Sequence, residues 1–169
     1  MKFGWLMVGL VGAALIGGTV TTMHSAVAQT SAADAIKARK DAMKEFGGAF
    51  GPINRVVRGE DPNVTGVTEK AMIWANAAKK LPALFPAGSG RESGQETRAK
   101  PEIWSNRAEF DANINKLVVA STTLADVAKT GDLGAVKAQF AVAVQACQTC
   151  HGGPVASGGP FRFEAPPRP

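Results

Sequence analysis

The sequence predicts an all-α protein, an antiparallel up-down-up-down four-helix bundle, and three observations carry that prediction. Apolar residues return every seven positions in several stretches, often with a second apolar residue three or four places on. That is the stripe of a helix packed against other helices. No stretch shows the convincing period-two alternation of a half-buried strand. Proline and glycine cluster mostly between the periodic stretches, giving the short or moderate connections of helices that neighbour one another in a bundle.

The chain opens on a leader. Lys2 supplies a positive charge, residues 5–20 are apolar and uncharged, and Ala26-Val27-Ala28 offers the small-x-small pattern of a cleavage site. The apolar stretch is near the lower limit for spanning a bilayer, so the expectation is a signal peptide cut after Ala28 rather than an anchor. Residues 29–169 then make one domain by length, with the bundle in 31–151 and a Gly/Pro-rich tail in 152–169. Without Lys2 the formal charge of +5 falls to +4. No basic run with interleaved aromatics argues for nucleic acid.

The first helix is predicted over 31–58. Ser31 with Asp34 three residues on resembles a capping arrangement, and Ile36, Met43, Phe50 and Val57 form a seam seconded by Phe46 and Ile53. Gly47, Gly48, Gly51 and Pro52 predict a kink or break at its centre. A second helix over 65–81 carries Val67, Ala71, Trp74, Ala78 and Leu81 on one face, and Pro82 and Pro86 end it. Residues 87–100 read as a polar surface loop. Pro101 suits the first turn of a third helix, with a seam of Ile103, Phe110, Leu117 and Leu124, and Ile114 and Ser121 between. Gly131 stops it and Asp132 can cap the fourth, whose seam of Leu133, Phe140 and Cys147 leads to the chain's most informative residues.

Those residues are Cys147-Gln148-Thr149-Cys150-His151. C-x-x-C-H is the attachment signature of c-type haem. Each thiol adds across one haem vinyl group, and the histidine becomes an axial iron ligand. On a helix all three side chains share a face. A structural zinc site needs four ligands, and the chain has no second cysteine pair. A thioredoxin-like pair belongs at a helix N-terminus in a βαβ context, whereas these cysteines close a helical pattern. A plain disulfide leaves the abutting histidine unexplained. The reading is one covalent haem c per chain, enclosed by the bundle.

His24 leaves with the signal, so His151 is the only histidine of the mature chain. Methionine is the usual alternative axial partner in electron-transfer haems, and beyond the signal only Met43 and Met72 remain. Met43 lies on the first-helix seam and Met72 one residue off the second. Periodicity leaves Met43 as either a ligand or a packing residue. Arg39 is also on the first-helix seam, where it either meets an anion such as a haem propionate or reaches water.

With its late haem motif, the chain resembles the class II cytochromes c, exported four-helix bundles, over nearly all of 31–151. Asp34-Ala35-Ile36-Lys37-Ala38-Arg39-Lys40-Asp41-Ala42-Met43-Lys44 looks like the family's first helix. The resemblance implies that Arg39 lies by the propionates and that Met43 faces the distal side of the iron. Of the two branches, cytochromes c-prime hold five-coordinate high-spin iron, and the low-spin branch ligates it with a first-helix methionine. Lys79-Lys80-Leu81-Pro82-Ala83-Leu84-Phe85-Pro86 and residues 100–110 look more like the low-spin branch. The tail departs from the pattern: glycines and prolines follow His151, where relatives continue the helix with an aromatic and a basic residue. Here Phe161-Arg162-Phe163 comes ten residues later, as the part of an otherwise exposed tail expected to dock.

The expectation is a periplasmic electron carrier with His151 and Met43 as axial ligands and no enzymatic activity. It would dock transiently with redox partner proteins, without stable membrane association after cleavage, as a monomer or homodimer. The alternative is a five-coordinate c-prime haem that binds nitric oxide or carbon monoxide.

Overall fold

The structure, a computed structural model, describes residues 23–153 and 158–163. Most of the predicted leader (1–22) and tail residues 154–157 and 164–169 lie outside the described residues. Four long helices form the bundle: α1 (Met23–Val57), α2 (Val67–Lys80), α4 (Arg107–Ala128) and α5 (Leu133–His151). A single turn, α3 (Glu102–Ser105), precedes α4, and a 3-10 turn, Leu81–Leu84, carries Pro82 after α2. Packing runs α1–α2, α2–α4 and α4–α5, and closes between α5 and α1, where the helices meet least closely. Among the described residues β structure is limited to two isolated bridges, and no helix is long and apolar enough to cross a membrane.

Most residues of the predicted seams are buried, with Phe50 of the first-helix seam an exception at 41% exposed. Ile53, Val67, Ala71, Trp74, Ala78, Leu124 and Val136 are nearly or wholly sequestered from water. Trp74 Nε1 donates to the Phe46 carbonyl at 2.9 Å, so the largest buried ring also satisfies its polar atom. The apolar residues fall into two clusters. The larger joins α1, α2, α4 and α5 around Trp74, Leu124 and Phe140. The smaller gathers Ala42, Phe85, Ile103, Phe110, Ile114 and Phe161, with Leu81 and Ala99 beside them.

Three local expectations need correction. Ser31 does not begin α1, because the helix is already formed at Met23. Nor does α1 break at its glycines and proline: it runs through Pro52 to Val57. Pro52 removes one backbone donor, but Ile53 and Val56 directly after it are buried, and that tertiary packing holds the helix together. The third helix is interrupted at Asn106 (φ −122°, ψ 53°). Side chains on either side of the break are held by the turn after α2: Trp104 Nε1 donates to Pro86 O at 2.9 Å and Arg107 Nη2 to Pro82 O at 2.9 Å. By contrast Asp132 caps α5 as expected, accepting from Ala135 N at 3.0 Å.

Candidate haem site

The site is built on the last turns of α5. Cys147 and Cys150, one turn apart, are free thiols and half-buried. His151, also half-buried, is the helix's final residue. Burial pushes the Cys147 thiol up to about 11, and the neighbouring Cys150 adds to the shift. Burial likewise raises Cys150, against a lowering hydrogen bond from Thr149. A redox-active C-x-x-C needs a depressed thiol pKa, and these move the other way, at the negative end of a helix dipole. Among the described residues no group of three or more His, Cys, Asp or Glu could hold a metal ion between them, so the zinc alternative finds no ligand set there.

The donor set fits a covalent haem. Two reduced thiols and an imidazole lie on one helix face in the last turns of α5. Cys147 packs against the larger cluster and Cys150 against the smaller. Met43 packs against that same smaller cluster, whereas Met72 belongs to the larger. Of the two candidate methionines, then, only Met43 shares an apolar cluster with Cys150. The same cluster is flanked by Phe46 and Trp104, whose indole N–H is bonded to the Phe85 and Pro86 carbonyls.

Arg39 sits one turn before Met43, 5% exposed, so it does not reach water. Its Nη2 donates to Ser89 O and Thr97 Oγ1, both at 2.7 Å, and Nη1 to Ser89 Oγ at 3.1 Å. Its guanidinium also lies 4.9 Å from the Phe85 ring centre, which places it at the rim of Met43's cluster. Burial lowers its pKa to about 10, opposed by the negative charge of Glu92. Sequence reasoning missed Ser89 and Thr97. In a stretch rich in Gly, Ser and Glu, nothing marks one serine as wholly buried.

The tail folds back beside the motif. Gly152 ends α5 with φ +74°, and Phe161 is 3% exposed within the smaller cluster, 5.4 Å from the Phe110 ring. Residues 158–163 therefore dock, as the sequence suggested for Phe161-Arg162-Phe163.

A helical bundle carrying a C-terminal C-x-x-C-H on a half-buried helix face defines a class II type of haem c protein. A sequence model of the family described as Cytochrome C' matches residues 34–153, and the chain belongs to that family. Its cofactor is a covalently attached haem c. It is 37% identical over 140 residues to a cytochrome c' of Rhodopseudomonas palustris, covering 82% of this chain and 91% of the relative. It is 34% identical to a cytochrome c' of Alcaligenes xylosoxydans, covering 70% and 90%. A solved cytochrome c prime of Alcaligenes xylosoxidans, a ferrous arginine-to-alanine variant with bound NO, superposes with a TM-score of 0.62 at 26% identity. That match covers 71% of this chain and 92% of the other.

These relatives overturn one expectation. The electron carrier with His151 and Met43 as paired axial ligands was drawn from the low-spin look of 79–86 and 100–110. The two relatives named above are cytochromes c', although two others, at 33% and 31% identity, are cytochromes c-556 of Agrobacterium, and a solved cytochrome c prime carries nitric oxide. A methionine bonded permanently to the iron would occupy the position that a gas must enter. The look of those two segments reflects how α3 and the turn after α2 pack, with Trp104 and Arg107 bonded to the 82–86 carbonyls, and that packing does not decide the iron's coordination.

Proposed function

We propose that this protein is a periplasmic haem c protein whose iron is five-coordinate and binds a small diatomic gas, nitric oxide or carbon monoxide. Cys147 and Cys150 anchor the haem and His151 holds the iron from one side. Met43 covers the opposite face. The haem supplies a ferrous or ferric iron with one position open to a ligand. The observation that carries the reading is the likeness to cytochromes c', one of them solved with nitric oxide bound; the apolar cluster that Met43 shares with Cys150 supplies a residue to cover the site.

The chain's own residues select what can enter. Met43, Phe46, Phe85 and Phe110 offer no hydrogen-bond donor to water, hydroxide or an anion, so those ligands lose their hydration without replacement. A neutral diatomic gas loses little. Met43 is unbranched and flexible, which lets it swing aside without repacking the core. Arg39 has N–H groups beyond the three bonded to Ser89 and Thr97, and these offer its charge to a propionate at the cluster's rim. The leader supports export with cleavage after Ala28, which the mass of the secreted protein measures.

The test is the pair of oxidised and reduced spectra with and without carbon monoxide. A high-spin ferrous spectrum that changes on adding the gas is expected. A low-spin ferric spectrum with a methionine–iron charge-transfer band, unresponsive to carbon monoxide when reduced, would overturn the reading.

A further inference from the structure

In most of the bundle, side chains from neighbouring helices set the position of a turn. At the end of α5 a different element does so. Gly159 N donates to Arg162 O at 2.8 Å, closing a tight turn. Phe163 N then donates to Arg98 O at 2.9 Å, and Lys100 N to Phe161 O at 3.2 Å. These bonds tie the tail to the segment just before α3. On its other side Phe161 N donates to the Cys150 carbonyl at 3.4 Å, one of the orphan acceptors at a helix C-terminus.

The approach is as close as backbone allows. A Cβ placed on Gly159 would lie 2.6 Å from His151 C and 2.7 Å from Cys150 O, and would also strike Gly152 N. A Cβ on Gly152 would strike the Gly158 carbonyl. The two glycines meet directly at the end of the haem motif's backbone, at a contact no other residue type permits. Phe161 anchors the turn in the cluster that also receives Cys150 and Met43. Arg91 lies over the Phe163 ring at 3.8 Å and holds the far end.

We infer that residues 158–163 form a strap that fixes the Cys147–His151 turn, with Gly159 and Phe161 acting as positioning residues for the iron's histidine. The strap takes the place of a continued helix, which ends where Gly152 turns to φ +74°. By covering that turn it also limits water's approach to the His151 side. The outer shell of a metal ligand sets its orientation, and the apolar shell around a site sets its potential through solvent access. Water stabilises the more highly charged ferric site, so releasing the strap lowers the midpoint potential. The inference rests on the reading above only for His151 as the iron's protein ligand.

The experiment compares the haem-loaded parent with Gly159→Val and Phe161→Ala. Hydrogen exchange at the Phe163 and Lys100 amides reports whether the strap is released, and circular dichroism reports whether the bundle persists. Both variants are expected to lose protection at those two amides, keep their helical content, and show a lower midpoint potential with a shifted ferrous spectrum. Phe161→Ala adds no bulk, so it carries the test should Gly159→Val fail to fold. A released strap with an unchanged potential and spectrum overturns the inference, as do unprotected Phe163 and Lys100 amides in the parent. A merely structural strap would lower the melting temperature and leave the potential in place. A low-spin parent spectrum defeats the five-coordinate reading but not the strap, which is judged by the difference between parent and variants.

Discussion

Met43 and Arg39 lie one turn apart on α1 and face opposite chemical problems. Met43 is half-buried among aromatic and aliphatic groups, and in the proposed function it covers the site and moves aside for a ligand. Met43→Ala should leave the spin state of ferric and ferrous protein unchanged and speed carbon monoxide binding about tenfold, equivalent to about 1.4 kcal/mol of barrier. Stopped-flow mixing of the reduced protein measures it, and a low-to-high-spin conversion on mutation would show the thioether to be bonded to iron. Arg39 is buried with three hydrogen bonds to Ser89 and Thr97. Arg39→Met should cost about 3 kcal/mol, because Ser89 and Thr97 lose their donor in a place water does not replace; urea unfolding reads it. The seam position of Arg39 was legible from spacing alone. Its partners were not, because they are fifty or more residues away in a loop without periodicity, and only the fold brings them within reach.

The helices themselves carry separate, checkable contributions. α5 starts at Asp132, whose carboxylate accepts from Ala135 N. Asp132→Ala should lower stability by about 1 kcal/mol, seen as an earlier urea midpoint with an unchanged slope. On α1, Lys37 and Lys44 both donate to Asp41, at 2.7 and 2.9 Å, and these bonds lower the Asp41 pKa from 3.8 to about 2. A carboxylate depressed on folding stabilises above its unfolded pKa, and that contribution is lost as pH falls through the window from 3.8 to about 2. The group is exposed, so salt should weaken the effect. Thermal melts across that window should show a limb that flattens in Asp41→Asn and at high salt; a limb unaffected by both would assign the acid loss elsewhere. Element boundaries show where sequence reading succeeds. The Asp132 cap is local chemistry and was legible. The continuity of α1 through Pro52 and the break at Asn106 were not, since the first depends on burial of Ile53 and Val56 and the second on side-chain bonds to the 82–86 turn. The tail's docking residues were legible as the only aromatics in a Gly/Pro-rich stretch, but their register depends on the contact between Gly159 and the end of α5.

At the scale of the molecule, the four long helices are not held equally. α2, α4 and α5 pack closely in sequence, and α1 joins them chiefly through α2, meeting α5 only sparsely. Cys150 of α5 and Met43 of α1 pack against the same apolar cluster, so a haem held by the two cysteines would add contacts between helices that otherwise meet sparsely. Phe50 of α1 does reach Trp74 and Phe140, with ring centres 6.2 and 5.5 Å away. Yet it remains 41% exposed, so its contribution falls short of full aromatic burial. Removing the covalent anchor with Cys147→Ser and Cys150→Ser together should therefore not unfold the protein uniformly. Local stability follows the density of buried contacts, and α1 should open first. Native-state hydrogen exchange of the double variant should show amides of α1 losing protection while those of α2 and α4 around Ala71, Trp74 and Leu124 keep most of theirs. Equal loss in all four helices would mean that the haem stabilises the bundle as one cooperative unit, and that the sparse packing between α1 and α5 is not where its contribution enters.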